Sequence, residues 1–271
     1  MTTTAAVAAA LAHGGATPVL AFMACVALAT YAQNLTGFAF GLILLGLTAS
    51  LQIASVADAA NAAMVLTLVN AWSYFRASKQ PPPWALMRPA LATSFVGVAA
   101  GVLLLGWLGG SAIAWLRGLL GVSILGCAVL LLLQSAPLVR VSGRRSFAVV
   151  GVLSGLLGGL FASSGPPLVY HLYRQPLPRE LVRRGLLLAF ACNAAVRLVL
   201  VLPTGQFSPR ALLLAACAVP VVYAVTRLHH RYPVAMRPGL LKALVAGLLC
   251  ASGGTLLVSA WRAVAATGAT G

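Results

Sequence analysis

The side chains with the most chemical potential are polar groups placed inside long apolar stretches. Ser163, Ser164, Gly165 and Pro166 form a polar, helix-breaking run within a stretch that is otherwise apolar from about residue 147 to residue 172. Proline lacks an amide donor and disfavours helix in the residue before it, so the run predicts a break in a helix. Backbone amides and hydroxyls exposed at such a break can hold an anion that has shed its water. The alternative is that the two serines only cap the broken helix.

A second candidate is a charged side chain deep in an apolar stretch. Arg197 follows Asn193 by four residues, between about residues 181 and 202, so the two share one face of a helix. A charge at that depth is costly and is usually functional. Arg197 is therefore predicted to hold an anion or a structural partner; the alternative is that its long side chain reaches the polar end of the segment near Pro203.

The remaining candidates are titratable or basic residues at segment ends. The chain has two carboxylates, Asp58 and Glu180, and each opens an apolar segment, where an acid commonly caps a helix. Asp58 could instead couple transport to protons, and Glu180 could pair with Arg183. His171 could carry a proton or sit at the membrane interface, and the positive-inside rule alone would explain the position of Arg183.

Composition shows what kind of scaffold positions these residues. The 271-residue chain is 61% hydrophobic and 7% charged, whereas a soluble domain carries roughly a quarter charged residues. Apolar segments begin near residues 17, 57, 86, 112, 147, 181, 211 and 238, and crossing a bilayer takes roughly 20 residues. We therefore predict an all-α, polytopic integral membrane protein of about eight apolar helical segments, in the cell membrane.

The chain also resembles a duplication. Residues 1–16 are interpreted as a tail, residues 17–138 as a first membrane repeat and residues 139–271 as a second, each opening with a broken or re-entrant helix. Three small residues recur with matching spacing in the two halves: Gly37, Gly41 and Ser50, then Gly151, Gly155 and Ser164. Repeat symmetry would place Ser50 and Gln52 opposite the second break. The alternative is that small residues recur because they let membrane helices approach.

Basic residues test the topology. The net charge of +16 would indicate nucleic acid in a soluble protein, but these residues cluster between apolar segments, as in cytoplasmic loops, and we expect no nucleic-acid partner. Eight plain crossings would put the clusters near residues 76–88 and 140–145 on one side and those near 174–184 and 227–242 on the other. A re-entrant segment over 147–172 puts all four on one side; a kinked, complete span is the alternative.

One run resembles a known family. Residues 151–168 read GVLSGLLGGLFASSGPPL and resemble the second-repeat signature of the TauE/SafE family, the sulfite exporter-like anion permeases, in which a Gly-rich helix ends in Gly-Gly-Pro-Pro. Residues 177–190, with Arg183, are similar to the family's next element, in which a basic residue opens a span. The first repeat departs from the family: LTASLQ at residues 47–52 stands where a triple glycine and a proline are usual, and Ser163-Ser164 stands where glycines are usual.

The resemblance implies a secondary transporter for a small anion such as sulfite, a sulfonate or another organic oxyanion, with proton coupling as one option. The predicted substrate-binding residues are Ser163, Ser164, Gly165, Pro166, Asn193, Arg197, Ser50 and Gln52. The predicted gating or coupling residues are Asp58, His171 and Arg183.

The alternative class is a non-transporting membrane subunit, an assembly factor or an intramembrane enzyme. The chain has no H-E-x-x-H or G-x-S-x-G motif and no paired acids, so we do not predict an enzyme. Its five cysteines are scattered through apolar segments, and we expect neither a metal nor a cofactor. The expected partners are the small anion and the lipid bilayer, with a homo-oligomer left open.

Overall fold

The computed structural model describes residues 16–78, 80–108, 113–132, 138–161, 165–205, 207–232 and 238–268. Over these residues the chain is helical, without a strand, which confirms the all-α prediction. The helices are α1 (Ala16–Thr36), α2 (Phe40–Ser50), α3 (Val56–Ser78), α4 (Trp84–Leu108), α5 (Ile113–Leu132), α6 (Arg144–Phe161), α7 (Gly165–Tyr173), α8 (Arg179–Val201), a 3₁₀ turn (Leu202–Thr204), α9 (Pro209–Arg231) and α10 (Pro238–Gly268).

Several helices match the thickness of a bilayer. Within the described ranges, five are long and apolar enough to cross one: Thr17–Thr36, Trp84–Trp107, Arg144–Phe161, Arg179–Thr204 and Pro209–Arg231. Shorter apolar helices cover Phe40–Ser50, Gly118–Val129 and Val245–Trp261. A helix rises about 1.5 Å per residue, so these helices are long enough to span the hydrocarbon core. The chain is a polytopic membrane protein, as composition predicted.

The same order of helices occurs twice. A long helix, a short one and three long ones make up α1–α5 and again α6–α10. The contacts between helices come in matched pairs. Helix α4 contacts α6, as α9 contacts α1, and α9 contacts α3, as α4 contacts α8. Helix α10 contacts α2, as α5 contacts α7. Helices α3 with α8, and α5 with α10, pair across the two halves. A twofold relation generates this pattern, and we propose two repeats with the boundaries predicted from the sequence.

The register used to align the two halves is wrong. Gly151 and Gly155 lie inside α6, before the second break, whereas Gly37 lies in the first break and Gly41 lies in α2, after it. Residues before a break cannot correspond to residues after one when the order of helices is kept. The counterpart of the second break is the linker of residues 37–39, where Gly37 and Ala39 adopt φ of 81° and 77°.

The second broken helix returns to the end of the bundle from which it starts. Just before α6, the amide of Leu138 donates to the carbonyl of Arg174, 2.8 Å away, just after α7. The amide of Ser142 donates to Oε1 of Gln175 at 2.8 Å. Because residues before α6 contact residues after α7, the two helices form a hairpin, as the re-entrant interpretation predicts.

The first broken helix is a hairpin of the opposite direction. At the end of α1, the carbonyl of Asn34 accepts from Nη1 of Arg183, in the first turn of α8, at 3.0 Å. Beyond the end of α2, the carbonyl of Ile53 accepts from Arg210, at the start of α9, at 3.2 Å. We call the end of the bundle with Arg183 face A and the end with Arg210 face B. The first hairpin starts from face B and the second from face A, as in inverted repeats.

Glycines explain how closely the second hairpin packs. A Cβ on Gly155 of α6 would lie 2.8 Å from Cα of Ser94 in α4, and one on Gly159 would collide with the carbonyl of Val98. Small residues permit such close crossings of membrane helices. The glycines of the α6 signature therefore hold α6 directly against the backbone of α4.

Candidate functional site

The second break is only partly described. Ser163 and Ser164 lie outside the described residues, and their binding role stays a prediction. Gly165 is buried and begins α7, and Pro166 is the second residue of that helix. Because Pro166 and Pro167 carry no N–H, two first-turn positions of α7 have no amide donor. Ser163, Ser164 and Gly165 therefore remain the predicted backbone donors of this break.

Arg197 points into the bundle. Its side chain is 4% exposed, its Nε donates to the carbonyl of Gly159 near the end of α6 at 2.8 Å, and its Nη1 lies 3.1 Å from Sδ of Met64 in α3. The guanidinium thus sits between α6, α8 and α3. It does not reach the end of the segment near Pro203, so the interfacial alternative is wrong.

No carboxylate neutralises this guanidinium. The chain has two acids and the structure describes both: Asp58 accepts from Ser55 and Ser208, and Glu180 pairs with Arg183. The Arg183–Glu180 pair is the one ion pair among the described residues. Burying an unpaired charge is strongly unfavourable, and a guanidinium has more N–H donors than its two contacts use. The site therefore has both the charge and the donors to bind an anion.

Asn193 lies one helical turn before Arg197, as its spacing predicts. It is 3% exposed, and its Oδ1 accepts from the hydroxyl of Ser94 at 2.7 Å. Helices α4, α6 and α8 therefore meet around a set of polar groups inside the bundle. We call Ser94, Asn193, Arg197 and the carbonyl of Gly159 the inner site.

A chain of buried hydrogen bonds lies beside the first break. Nδ2 of Asn70 donates to Oε1 of Gln33 at 2.7 Å, and the hydroxyl of Thr226 donates to Oδ1 of Asn70 at 2.7 Å. Nδ2 of Asn34 donates in turn to that hydroxyl at 3.0 Å. All four side chains are buried. The chain ties α1 to α3 and α9, and sequence reasoning missed it because a single threonine in an apolar helix carries no signal.

A cavity of about 380 Å³ opens at face A, between the ends of α1, α3 and α9 and the start of α8. Arg183, predicted as a gating residue, lines it. The residues of this face A cavity are Leu35, Tyr74, Ala77, Ser78, Glu180, Arg183, His229 and His230. Sequence reasoning singled out neither Tyr74 nor the histidine pair as site residues, so it missed this cluster.

Arg183 and Glu180 organise the cavity. Nη2 of Arg183 bonds the carboxylate of Glu180, which also accepts from the hydroxyl of Tyr74 at 2.8 Å. The guanidinium carbon lies 5.6 Å from the centre of the Tyr74 ring, a cation–π distance. His230 stacks edge-on to the same ring, with centres 4.7 Å apart. The Glu180 carboxylate therefore occupies an N–H donor of Arg183 that could otherwise bind an anion.

Asp58 and His171 make structural contacts. The Ser55 hydroxyl donates to the Asp58 carboxylate at 2.7 Å and accepts from its amide at 3.0 Å, a capping arrangement at the start of α3. His171 packs edge-on to Phe147, with ring centres 4.7 Å apart, and does not line the face A cavity. Their coupling roles stay predictions.

Ser50 and Gln52 lie at the face B end of the first hairpin. The hydroxyl of Ser50 bonds the carbonyl of Gly46 at 2.7 Å and the hydroxyl of Thr255 in α10. Gln52 is exposed in a turn, with φ of 52°. The serines that they were predicted to face lie outside the described residues, so their binding role also stays a prediction.

Two oppositely directed broken hairpins, together with a buried arginine that has no carboxylate partner, are features of a membrane protein of the secondary-transporter class. Comparison with known proteins identifies the family. The model of the family "Sulfite exporter TauE/SafE" matches residues 21–256. The chain is 36% identical over 247 residues to the "Probable sulfite/organosulfonate exporter TauE" of Cupriavidus necator, covering 90% of this chain and 96% of that protein. The chain belongs to the TauE/SafE family, as its second-repeat signature predicted. No solved structure matches it.

Proposed function

We propose that this protein exports sulfite or a small organosulfonate across the cell membrane. Family membership and the name of the Cupriavidus necator relative support this substrate class and direction. The structural observation that carries the proposal is Arg197, a guanidinium that is 4% exposed and has no carboxylate partner. An anionic substrate supplies the missing charge.

The chemistry of a guanidinium suits these substrates. Arginine stays protonated at all physiological pH values and presents parallel N–H groups that bind two oxygens of one oxyanion. The Gly159 carbonyl, which accepts from Nε, fixes the orientation of the side chain. Asn193, one helical turn away, bonds Ser94 of α4, so polar groups of two further positions lie close to the guanidinium.

We propose that face A is cytoplasmic. The described members of the four basic clusters lie at or near helix ends on this face: Arg76, Arg88, Arg140, Arg144, Arg145, Arg174, Arg179, Arg183, Arg184, Arg227 and Arg231. Arg210, at the start of α9, lies on face B. Cytoplasmic ends of membrane helices collect Lys and Arg. The face A cavity would then open towards the compartment from which an exported anion comes.

Cysteine labelling tests this orientation. Val139 is 96% exposed on face A, and Thr204 is exposed on face B. In a variant without the native cysteines, a membrane-impermeant maleimide added to intact cells should label Thr204→Cys at once. Val139→Cys should react only after the cells are permeabilised. The reverse order would mean that face A is external.

Flux in proteoliposomes tests the function itself. Purified protein should release radiolabelled sulfite or methanesulfonate from loaded liposomes at a rate that saturates with concentration, and each anion should compete with the other. Protein-free liposomes are the control. Release no faster than this control for every sulfur oxyanion would refute the proposal. An imposed pH gradient tests the predicted proton coupling in the same vesicles, and an unchanged rate would exclude it.

A further inference from the structure

We propose that the face A cavity is a loading site for the sulfonate group, in which the Glu180 carboxylate is a displaceable stand-in for the substrate on Arg183. This inference rests on the proposed function, because it assigns a second binding position to the same anion. The incoming sulfonate takes the place of Glu180 on the guanidinium before it moves to the inner site.

The cavity wall has the chemistry that an organosulfonate requires. The Arg183 guanidinium, the Tyr74 hydroxyl and the two imidazoles of His229 and His230 provide polar groups in its lining. Leu35 and Ala77 provide an apolar surface for the organic group. The volume of about 380 Å³ falls within the range of roughly 300–1,000 Å³ for pockets that take organic ligands. A single inorganic oxyanion would leave most of this space to water.

The Arg183–Glu180 ion pair can exchange its carboxylate for another anion at little energetic cost. The Arg183 side chain is 24% exposed and that of Glu180 is 45% exposed, and ion pairs open to solvent contribute little stability. A sulfonate can therefore replace the carboxylate without exposing a buried charge. Tyr74, which donates to Glu180, is left free to donate to the substrate instead.

Arg183 also connects the cavity to the first hairpin. Its Nη1 donates to the carbonyl of Asn34, and Gly37 lies so close that a Cβ there would be 2.8 Å from Cα of Arg183. Any shift of this arginine on binding thus reaches the break between α1 and α2. The cavity sits where substrate can influence a hairpin that moves in alternating access.

The loading site and the inner site are separate. Arg183 and Arg197 lie on the same helix, α8, and their separation of fourteen residues corresponds to roughly 21 Å at the rise of an α-helix. One arginine is paired and partly exposed, and the other is unpaired and buried. This difference fits two successive positions: Arg183 collects anions from solvent, and Arg197 then binds them away from water.

Initial rates with methanesulfonate supplied at face A test the inference. Arg183→Gln should raise the half-saturation concentration at least about tenfold, the effect of losing a hydrogen bond to a charged group. Its maximal rate should stay within about twofold of the wild type, because the inner site is intact. Glu180→Gln should lower the half-saturation concentration, since the competing carboxylate is gone. Arg184→Gln is the matched control, because Arg184 bonds Gln80 and Pro81 outside the cavity.

The possible outcomes separate the two proposals. If the wild type transports methanesulfonate while Arg183→Gln and Glu180→Gln match the Arg184→Gln control, the loading site is refuted and the proposed function stands. If the wild type carries no sulfur oxyanion, the proposed function fails. Should Arg183→Gln not yield folded protein, Glu180→Gln decides alone, since it keeps the arginine: an unchanged half-saturation concentration overturns the inference.

Discussion

Replacing Arg197 with glutamine should lower sulfite flux by at least about a hundredfold, because removing one partner of a buried charge contact costs several kcal/mol. The variant should be no less stable than the wild type in detergent, since glutamine removes a buried charge that has no carboxylate partner. Flux in proteoliposomes and the melting temperature of the purified protein measure these two effects. A purely structural role would lower both together.

Two further variants sharpen this test. Arg197→Lys keeps the charge but loses the planar pair of donors, so it should retain part of the flux and bind sulfite more weakly. Arg145→Gln removes the same charge from an exposed position at the start of α6 and should transport at the wild-type rate. Full flux in Arg197→Gln would remove this residue from the binding site.

The other large effect should come from a single added methyl group. Gly155→Ala places a Cβ against the carbonyl and Cα of Ser94, and these are backbone atoms of α4 that cannot move aside. Overpacking of this kind typically costs about 1–3 kcal/mol and occasionally more. We expect a markedly lower melting temperature and a smaller yield of monodisperse protein, measured by size-exclusion chromatography after heating.

Gly126→Ala is the matched control for that change. It makes the same substitution inside a membrane helix, α5, but no described atom lies within 4 Å of its added Cβ. Alanine favours helix over glycine, so this variant should be at least as stable as the wild type. Equal melting temperatures for the two variants would show that α4 and α6 do not cross as closely as the structure indicates.

The class of protein and its two breaks could be predicted because they depend on local properties of the sequence. Too few charges for a water-facing surface indicate a membrane protein whatever the tertiary packing. Two adjacent prolines interrupt a helix wherever they fall. The charge clusters added a long-range constraint, because all four can share one face only if the segment over residues 147–172 turns back. The contact between Leu138 and Arg174 shows that it does.

The register of the duplication failed for a physical reason. Matching the glycines by spacing assumed that equally spaced glycines occupy equivalent positions in the two repeats. In the structure, Gly155 and Gly159 are required because the backbone of α4 leaves no room for a side chain at these positions. Gly37 is required because the turn has a positive φ at this position and because Arg183 lies too close for a Cβ. One residue type thus serves two unrelated needs, which the sequence alone does not distinguish.

The site was predicted in part. Arg197 and Asn193 were found because a charge and an amide at helical spacing stand out in an apolar segment. The partners of the first break, Asn70 and Thr226, come from helices far apart in the chain. The face A cavity likewise needs residues from four helices, so that Tyr74 and His229 could be linked to Arg183 only once the bundle was assembled.

The most direct test is to locate the anion. Selenite is the selenium analogue of sulfite, and its anomalous scattering marks its position in a crystal of the protein. The inner site predicts a selenium peak within hydrogen-bonding reach of the Arg197 guanidinium, beside Asn193. A bound structure whose selenium lies away from Arg197, with that guanidinium still contacting only Gly159 and Met64, would contradict the account.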